Sequence, residues 1–246
     1  MPSVRMVTGD QGGLVVRCLV YAPEPMATGR TGLVVHLYGR MGGYDHSNIA
    51  KPPYDELRRL LTERGYWIAI PELGPEHWMS ADACGKVDAV IDGLVRQESI
   101  DPRRVHLFGV SMGAAGSLIY VMRRPGKIAS VAAVFPVTDF GRWWEGNPLH
   151  RGAFEAAQGI TPDRRVVRLR ELSPLSHPEA FERTPIFLLH GSRDTTVPPY
   201  HSREFAAAVN RAGGKAIYRE IPGGEHRDEF ARPYQRELAD FLTGAD

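Results

Sequence analysis

The sequence has little cysteine, no excess of charge of one sign and no long apolar run. Its 246 residues include only Cys18 and Cys84, which is too few for a disulfide framework, and both are expected to be buried thiols. Thirty basic and 29 acidic side chains leave a net charge of +1. Nucleic acids and anionic membranes bind proteins with a basic excess, so neither is expected as a partner.

Signals for export, membrane insertion and metal binding are missing as well. The first residues lack the apolar core of about 7–15 residues that a signal peptide needs, and no later run approaches the roughly 20 apolar residues of a membrane span. We therefore expect a cytoplasmic protein, although a secreted chain whose signal peptide has been removed fits the same sequence. The nine histidines show neither an H-E-x-x-H pair nor another metal-ligand spacing, so no metal and no cofactor is expected.

Short apolar, β-branched runs alternate with segments of helical periodicity, which is typical of an α/β domain with a mostly parallel sheet. A hydrophobic content of 43% and a charged content of 24% fit one domain over residues 1–246. The alternation is interrupted at about residues 137–184, and we interpret this segment as a cap or lid because long irregular insertions are usually functional. Strands are predicted at residues 14–21, 33–37, 66–70, 104–108, 130–135, 184–189 and 215–221.

Residues 109–113, G-V-S-M-G, follow an apolar strand and open a helix, which places Ser111 at a sharp strand-to-helix turn. A Cβ atom at Gly109 or Gly113 is expected to collide with the neighbouring strand or helix. The turn presents the Ser111 hydroxyl at the helix N-terminus, where unpaired N–H groups favour developing negative charge. Ser111 is therefore the predicted nucleophile and the Met112 N–H a predicted oxyanion donor, with a non-catalytic turn as the alternative.

A serine hydroxyl needs a base to remove its proton and an acid to orient that base. Asp194 and His226 each follow a predicted strand. Because the carboxyl ends of parallel strands meet at one edge of a sheet, these side chains are expected to lie near Ser111. The order Ser111, Asp194, His226 therefore predicts a catalytic triad. Asp139, which follows the strand predicted at 130–135, remains an alternative acid.

The segments G-V-S-M-G, H-G-S-R-D-x-x-V-P and G-G-E-H resemble those of the α/β-hydrolase superfamily, and the resemblance covers almost the whole chain. The C-terminal part is most similar to the catalytic domains of prolyl-oligopeptidase-like hydrolases and their acyl-esterase relatives. The resemblance implies an α/β-hydrolase fold with the cap inserted after its sixth strand. No propeller domain accompanies it, which favours hydrolysis of small esters or acyl groups over oligopeptides. Dienelactone hydrolases share the layout but carry a cysteine in place of Ser111.

In that superfamily the second oxyanion donor comes from the loop after the strand at 33–37, which here reads H-L-Y-G-R-M-G-G. The resemblance assigns this donor to the N–H of Tyr38, with Gly39 as the alternative. Beside them, Arg40 is a candidate for holding a substrate carboxylate, although an arginine in a loop is more often solvated.

Aromatic residues in two loops are candidates for a substrate pocket. Trp143 and Trp144 lie in the predicted cap, where two large rings suit the walls of an apolar acyl or aromatic pocket. Simple packing within the cap is the alternative for both. Glu76, His77 and Trp78 follow another predicted strand and fit a pocket wall as well as they fit ordinary packing.

The resemblance implies a serine hydrolase that cleaves a carboxylic ester or related acyl bond of a small molecule through an acyl-serine intermediate. A peptidase, thioesterase, acyltransferase or carbon–carbon hydrolase would use the same residues, because the fold does not decide among them. A non-catalytic receptor on the same fold is a further alternative. The substrate, the acyl length and the oligomeric state stay open.

Overall fold

A computed structural model describes residues 2–9, 13–24 and 31–244, and eight strands in it form a single sheet. The strands are β1 (Ser3–Thr8), β2 (Val15–Tyr21), β3 (Thr31–Leu37), β4 (Tyr66–Pro71), β5 (Ile100–Val110), β6 (Ser130–Val134), β7 (Ile186–Gly191) and β8 (Ala216–Ile221). Their order in the sheet is β1-β2-β4-β3-β5-β6-β7-β8. The strands from β4 to β8 in this order are parallel, whereas β2 pairs antiparallel with both β1 and β4.

Helices flank the sheet, as the sequence pattern predicts. They are α1 (Asp55–Glu63), α2 (Ala81–Gln97), α3 (Met112–Arg123), α4 (Phe140–Gly146), α5 (Arg151–Gln158), α6 (Arg165–Leu172), α7 (Tyr200–Arg211) and α8 (Gln235–Thr243). Helix α3 packs on β3, β5 and β6, and α1 packs on β4 and α8. No helix in the described ranges is long and apolar enough to cross a membrane.

The central strands were predictable because they are covered on both faces. Every residue of β3, β4, β6 and β7 is buried, which explains why their sequences are mostly continuous apolar runs rather than alternating ones.

Local sequence signals also set the boundaries of two helices. The Ser80 side chain caps α2 by accepting the Ala83 N–H at 3.2 Å, and Gly65, with φ +80°, follows the end of α1.

The sheet also has features that the sequence pattern does not predict. Strand β1 is missing from the prediction, because it is an edge strand whose only fully buried residue is Val7. Strand β5 begins four residues earlier than predicted, at Ile100, although Pro102 lies within it. The pairing of β3 with β5 jumps from Thr31–Ile100 to Leu33–Val105, so the proline lies in a bulge where it need not donate a ladder bond.

The two cysteines lie in different elements of the core. Cys18 is in β2 and Cys84 is in α2, and both are free and buried, as predicted. Burial raises the pKa of the Cys18 thiol to about 12, so this thiol stays protonated at neutral pH.

The segment expected to form a cap, residues 137–184, contains α4, α5 and α6. Three of its aromatic side chains, Phe140, Trp143 and Phe154, pack into one cluster with Trp78. The rings of Phe140 and Phe154 stack with centroids 4.7 Å apart, and the Trp143 ring lies 4.9 Å from that of Trp78. These contacts anchor the segment to the loop after β4. Its role as a lid remains a prediction.

Candidate active site

Strand β5 passes into α3 through a sharp turn at Ser111. This residue has φ 53° and ψ −116°, a conformation that residues other than glycine rarely adopt. Its N–H donates to the Val134 carbonyl at 2.8 Å, and its carbonyl accepts the Ala115 N–H at 3.0 Å. The turn is therefore fixed both by the neighbouring strand β6 and by the first turn of the helix.

The two glycines of G-V-S-M-G are required by close backbone approaches, as expected. A Cβ on Gly109 would lie 2.5 Å from the Gly113 carbonyl oxygen and 2.6 Å from the Ala114 Cα. A Cβ on Gly113 would lie 1.9 Å from the Leu37 carbonyl oxygen and 2.6 Å from that of Tyr38. The second contact has a functional consequence, because it brings the residues after β3 directly against the start of α3.

Three side chains that are far apart in the sequence meet at this turn. The Ser111 Oγ lies 2.9 Å from His226 Nε2, and His226 Nδ1 lies 2.7 Å from Asp194 Oδ2. An ionised carboxylate only accepts hydrogen bonds, so Nδ1 carries the proton of the neutral imidazole. The unprotonated Nε2 can therefore accept the hydroxyl proton of Ser111.

The Asp194 carboxylate is buried, and both of its oxygen atoms have hydrogen-bond partners. Oδ1 accepts the N–H groups of Thr196 at 2.9 Å and Val197 at 2.8 Å, and Oδ2 lies 3.3 Å from His190 Nε2 in addition to His226. Burial favours the protonated form, but the hydrogen bonds from His190 and His226 outweigh it and hold the pKa of the carboxyl below its usual value. Asp194 is therefore an anion at neutral pH.

Asp139, the alternative acid, is engaged elsewhere. It caps α4 by accepting the Arg142 N–H at 3.1 Å, and its other oxygen lies 3.3 Å from the Arg142 Nε. The structure therefore pairs His226 with Asp194 and gives Asp139 a capping role.

The loops that carry Asp194 and His226 touch backbone to backbone. A Cβ on Gly191 would lie 2.4 Å from the Gly224 carbonyl oxygen, and that oxygen accepts the Arg193 N–H at 2.7 Å. These glycines are not among the predicted site residues. The H-G and P-G-G signals before the acid and the base could have indicated a close approach of the two loops.

The two main-chain N–H groups predicted as oxyanion donors belong to Met112 and Tyr38. Met112 is the first residue of α3, so its N–H has no acceptor within the helix. Tyr38 follows the last residue of β3 and contacts α3 at Gly113. Its ring is buried, and its hydroxyl accepts the Leu73 N–H at 2.8 Å and donates to the Gly74 carbonyl at 3.3 Å. The Tyr38 side chain is therefore engaged away from Ser111, and the prediction that its main-chain N–H is an oxyanion donor stays a prediction, with Gly39, which lines the cavity over Ser111, as the alternative.

A cavity of about 490 Å³ lies over the Ser111 and His226 side chains. Trp78, Val137 and Trp143 contribute apolar walls. The rest of the lining is largely polar or charged and includes Gly39, Arg40, Asn147, His150, Thr196, Arg227, Asp228 and Glu229. The Arg40 guanidinium is already paired with Glu76 at 3.0 Å. Among the residues with assigned positions, no group of three or more His, Cys, Asp or Glu side chains is arranged to hold a metal ion.

The two neighbouring tryptophans of α4 have different surroundings. The expectation that both line the substrate pocket is therefore wrong for Trp144. Trp143 lines the cavity, whereas Trp144 does not. The Trp144 ring lies between the guanidinium groups of Arg151, at 3.9 Å, and Arg165, at 4.7 Å, and its Nε1 donates to Glu155 at 3.0 Å. Successive residues on a helix point about 100° apart, so the Trp144 ring is turned towards Arg151 and Arg165 while Trp143 faces the cavity. The second aromatic wall is instead Trp78, a residue for which the sequence left the role open.

Comparison with known proteins finds hydrolases. A family model described as Prolyl oligopeptidase family matches residues 86–244. The esterase LipQ of Mycobacterium tuberculosis is 37% identical over 76 residues, which are 28% of this chain and 18% of the relative. S-formylglutathione hydrolase of Bos taurus is 27% identical over 146 residues, which are 48% of this chain and 50% of the relative.

A solved structure supports the same fold over the full length. The structure of a puromycin-hydrolyzing peptidase of Mycobacterium tuberculosis has a TM-score of 0.83 and 20% sequence identity. The match covers 99% of this chain but 39% of the peptidase. This chain therefore aligns with no more than half the length of any of these three relatives.

Proposed function

The chain belongs to the prolyl oligopeptidase family and is a serine hydrolase of the α/β-hydrolase fold, and we propose that it cleaves a carboxylic ester or related acyl bond through an acyl-serine intermediate. The observation that carries this proposal is the pair of hydrogen bonds from Ser111 Oγ to His226 and from His226 to Asp194, 2.9 and 2.7 Å long. A nucleophile, a base and an orienting acid in this geometry are what acyl transfer to serine requires.

The proposed reaction begins when the Ser111 Oγ attacks the substrate carbonyl and His226 Nε2 takes its proton. Asp194 stabilises the imidazolium that forms, and the N–H groups of Met112 and Tyr38 hold the tetrahedral oxyanion. One such donor is typically worth about 3–4 kcal/mol of transition-state stabilisation. His226 then protonates the leaving group, which leaves an acyl-serine, and later activates the water that hydrolyses it.

The cavity supports a substrate with an apolar acyl part of moderate size. The rings of Trp78 and Trp143 and the side chain of Val137 form an apolar part of its lining, beside polar and charged residues, and its volume of about 490 Å³ is that of a small-molecule site. Val137 and Trp143 belong to the segment expected to form a cap, so we propose that this segment shapes the pocket. Arg40 remains a candidate contact at the edge, although Glu76 competes for its guanidinium.

An aminoacyl amide is the second candidate substrate. The names of the relatives support both the ester and the amide as substrate, because they include an esterase and an S-formylglutathione hydrolase as well as a puromycin-hydrolyzing peptidase. Ser111, His226 and Asp194 could cleave either the ester bond or the amide bond by the same mechanism. An amide differs in that its leaving amine must be protonated by His226 as it departs.

We propose a small molecule of the cytoplasm as the partner, rather than nucleic acid or a membrane. The net charge of +1 offers no general attraction for polyanions. The two free, buried cysteines are compatible with a reducing compartment.

The experiment compares an ester and an anilide of the same acyl group, such as p-nitrophenyl butyrate with butyryl p-nitroanilide, together with the matching pair made from phenylalanine. We expect kcat/KM for each ester to exceed that for its anilide by at least about 100-fold, and Ser111→Ala to lower ester hydrolysis at least about 1000-fold. If the phenylalanine anilide is cleaved within about tenfold of its ester, the peptidase candidate is favoured instead. Undiminished turnover by Ser111→Ala would reject both.

A further inference from the structure

Two loops at the carboxyl edge of the sheet are joined to each other beside Ser111. The 38–41 loop follows β3, and the 72–79 loop follows β4. Their outer parts are linked by the Met41 N–H, which donates to the Pro75 carbonyl at 2.9 Å, and by the Arg40–Glu76 ion pair at 3.0 Å. The 72–79 loop is therefore the support on which the 38–41 loop rests.

Tyr38 also joins these two loops, because both its hydroxyl group and its carbonyl oxygen are within hydrogen-bonding distance of residues in the 72–79 loop. Its hydroxyl is bonded to the main chain of Leu73 and Gly74. Its carbonyl oxygen lies 3.3 Å from the Nε2 of His77. With both groups held and the adjoining Leu37 carbonyl packed against Gly113, the orientation of the Tyr38 N–H is fixed as well.

The His77 ring uses both of its nitrogen atoms. Nε2 donates to the Tyr38 carbonyl, and Nδ1 accepts the Met79 N–H at 3.2 Å, which requires the neutral ring with its proton on Nε2. Burial lowers the pKa of His77 to about 4, so this form persists at neutral pH. The ring also meets Tyr38 edge to face, with centroids 5.3 Å apart.

His77 also begins a strained turn. Trp78 and Met79 have φ of 37° and 52°, in the left-handed region that residues other than glycine seldom occupy. Gln158 donates to the Trp78 carbonyl and Arg123 to the Met79 carbonyl, so the strain is held by several contacts. Strain maintained in this way is typical of functional sites. Here it presents Trp78 to the cavity over Ser111.

We propose that His77 is a positioning residue for the reaction of Ser111. Its bond to the Tyr38 carbonyl fixes the peptide group between Tyr38 and Gly39 and thereby limits movement of the adjoining Tyr38 N–H, the proposed oxyanion donor. Its bond to Met79 sets the turn that brings Trp78 to the cavity. This inference rests on the proposed function, because it takes the Tyr38 N–H as the second donor.

The test uses two substitutions that each keep one of the two bonds. In His77→Gln the amide nitrogen reaches the position of Nε2, so the bond to Tyr38 can be kept. In His77→Asn the amide oxygen replaces Nδ1, so the bond to Met79 can be kept while the bond to Tyr38 is lost. For p-nitrophenyl butyrate we expect His77→Asn to lower kcat about 10- to 100-fold with KM changed less than about threefold, and His77→Gln to keep kcat within about threefold.

His106 provides the matched control. It is also a buried histidine whose pKa is lowered to about 4, and it also meets a tyrosine edge to face, Tyr66 at 5.6 Å. Its Nδ1 lies 2.8 Å from the Oγ of Ser130, the first residue of β6, whereas the 38–41 loop follows the carboxyl end of β3. His106→Asn and His106→Gln are expected to keep the wild-type kcat while losing thermal stability comparable to that lost by the His77 variants.

The inference is overturned if His77→Asn and His77→Gln lose kcat equally, if His77→Asn keeps the wild-type kcat, or if His106→Asn loses as much. Should His77→Asn fail to fold, His77→Met replaces it, because methionine matches glutamine in length but has no N–H. The failure of the proposed function is distinguishable, because in that case Ser111→Ala would itself remain active.

Discussion

At the scale of single residues, the site depends most on how Asp194 is held. Its Oδ1 is fixed by the main-chain N–H groups of Thr196 and Val197, which leaves Oδ2 directed at His226 and His190. An anion held in this way keeps the imidazole in the tautomer that can accept a proton from Ser111. We therefore expect that no other nearby carboxylate replaces Asp194 in its effect on rate.

Replacing each candidate acid by its amide tests this assignment. We expect Asp194→Asn to lower kcat about 10³- to 10⁴-fold, because the amide favours the wrong tautomer of His226. Asp139→Asn is the matched control and is expected to keep activity within about twofold, because asparagine is also a good helix cap. Initial rates of p-nitrophenyl ester hydrolysis measure both. Equal losses in the two variants would contradict the assignment.

The sequence predicts some residues of the site and not others, for a physical reason. Ser111, Asp194 and His226 each follow a strand of the parallel part of the sheet, so their meeting at one edge follows from the parallel pairing. The separation of Trp143 from Trp144 depends on the rotation of α4, which is set by packing against residues remote in sequence. The direction of the Tyr38 side chain is likewise set by the loop after β4.

At the scale of elements, the acid and the base are brought together by the pairing of β7 and β8. Gly191 and Ile221 are partners in this parallel pair, so the loops after them begin side by side. The Ser192 N–H donates to the Ile221 carbonyl at 3.0 Å, and the Gly223 N–H donates to the Ser192 Oγ at 2.8 Å. The distance between Asp194 and His226 is thus controlled by backbone contacts.

A methyl group at Gly191 is expected to disturb this contact. Its Cβ would lie 2.4 Å from the Gly224 carbonyl oxygen, so Gly191→Ala must separate the two loops and should lower kcat about tenfold or more and destabilise the fold by about 1–3 kcal/mol. Gly152→Ala is the control, because a Cβ there meets nothing within 4 Å, and in helix α5 it should stabilise by about 0.5–1 kcal/mol. Urea denaturation and ester hydrolysis measure both. Wild-type activity in Gly191→Ala would show that the loop contact is not needed.

The strands covered on both faces were predictable, whereas the edge strand β1 was not. The apolar runs of β6 and β7 are buried at every position. In β1, by contrast, Val4 is 57% exposed and Met6 is 60% exposed, so the strand exists because it pairs with β2 rather than because its own pattern requires it.

At the scale of the whole molecule, stability depends on histidines that remain neutral inside the fold. Burial lowers the pKa values of His36 and His201 to about 3 and those of His77 and His106 to about 4. In the unfolded chain a histidine has a pKa of about 6.5. Below that pH the unfolded state binds protons that the folded state does not, so acidification favours unfolding.

The free energy of unfolding is therefore expected to fall as the pH is lowered from about 6.5 towards about 4. His106→Gln removes one group that takes up a proton on unfolding, so it should make the dependence shallower by about 1 kcal/mol per pH unit. Urea denaturation at several pH values in this interval measures the slope. An unchanged slope in His106→Gln would mean that His106 is already charged in the folded protein.

The central claim is that the hydroxyl of Ser111 becomes covalently bound to substrate or inhibitor. Incubation with a fluorophosphonate, followed by peptide mass spectrometry, tests it most directly. We predict one phosphonyl group per chain, attached to Ser111, in the wild-type protein and none in Ser111→Ala. Labelling of another residue, or no labelling of a folded protein that still hydrolyses esters, would contradict the account.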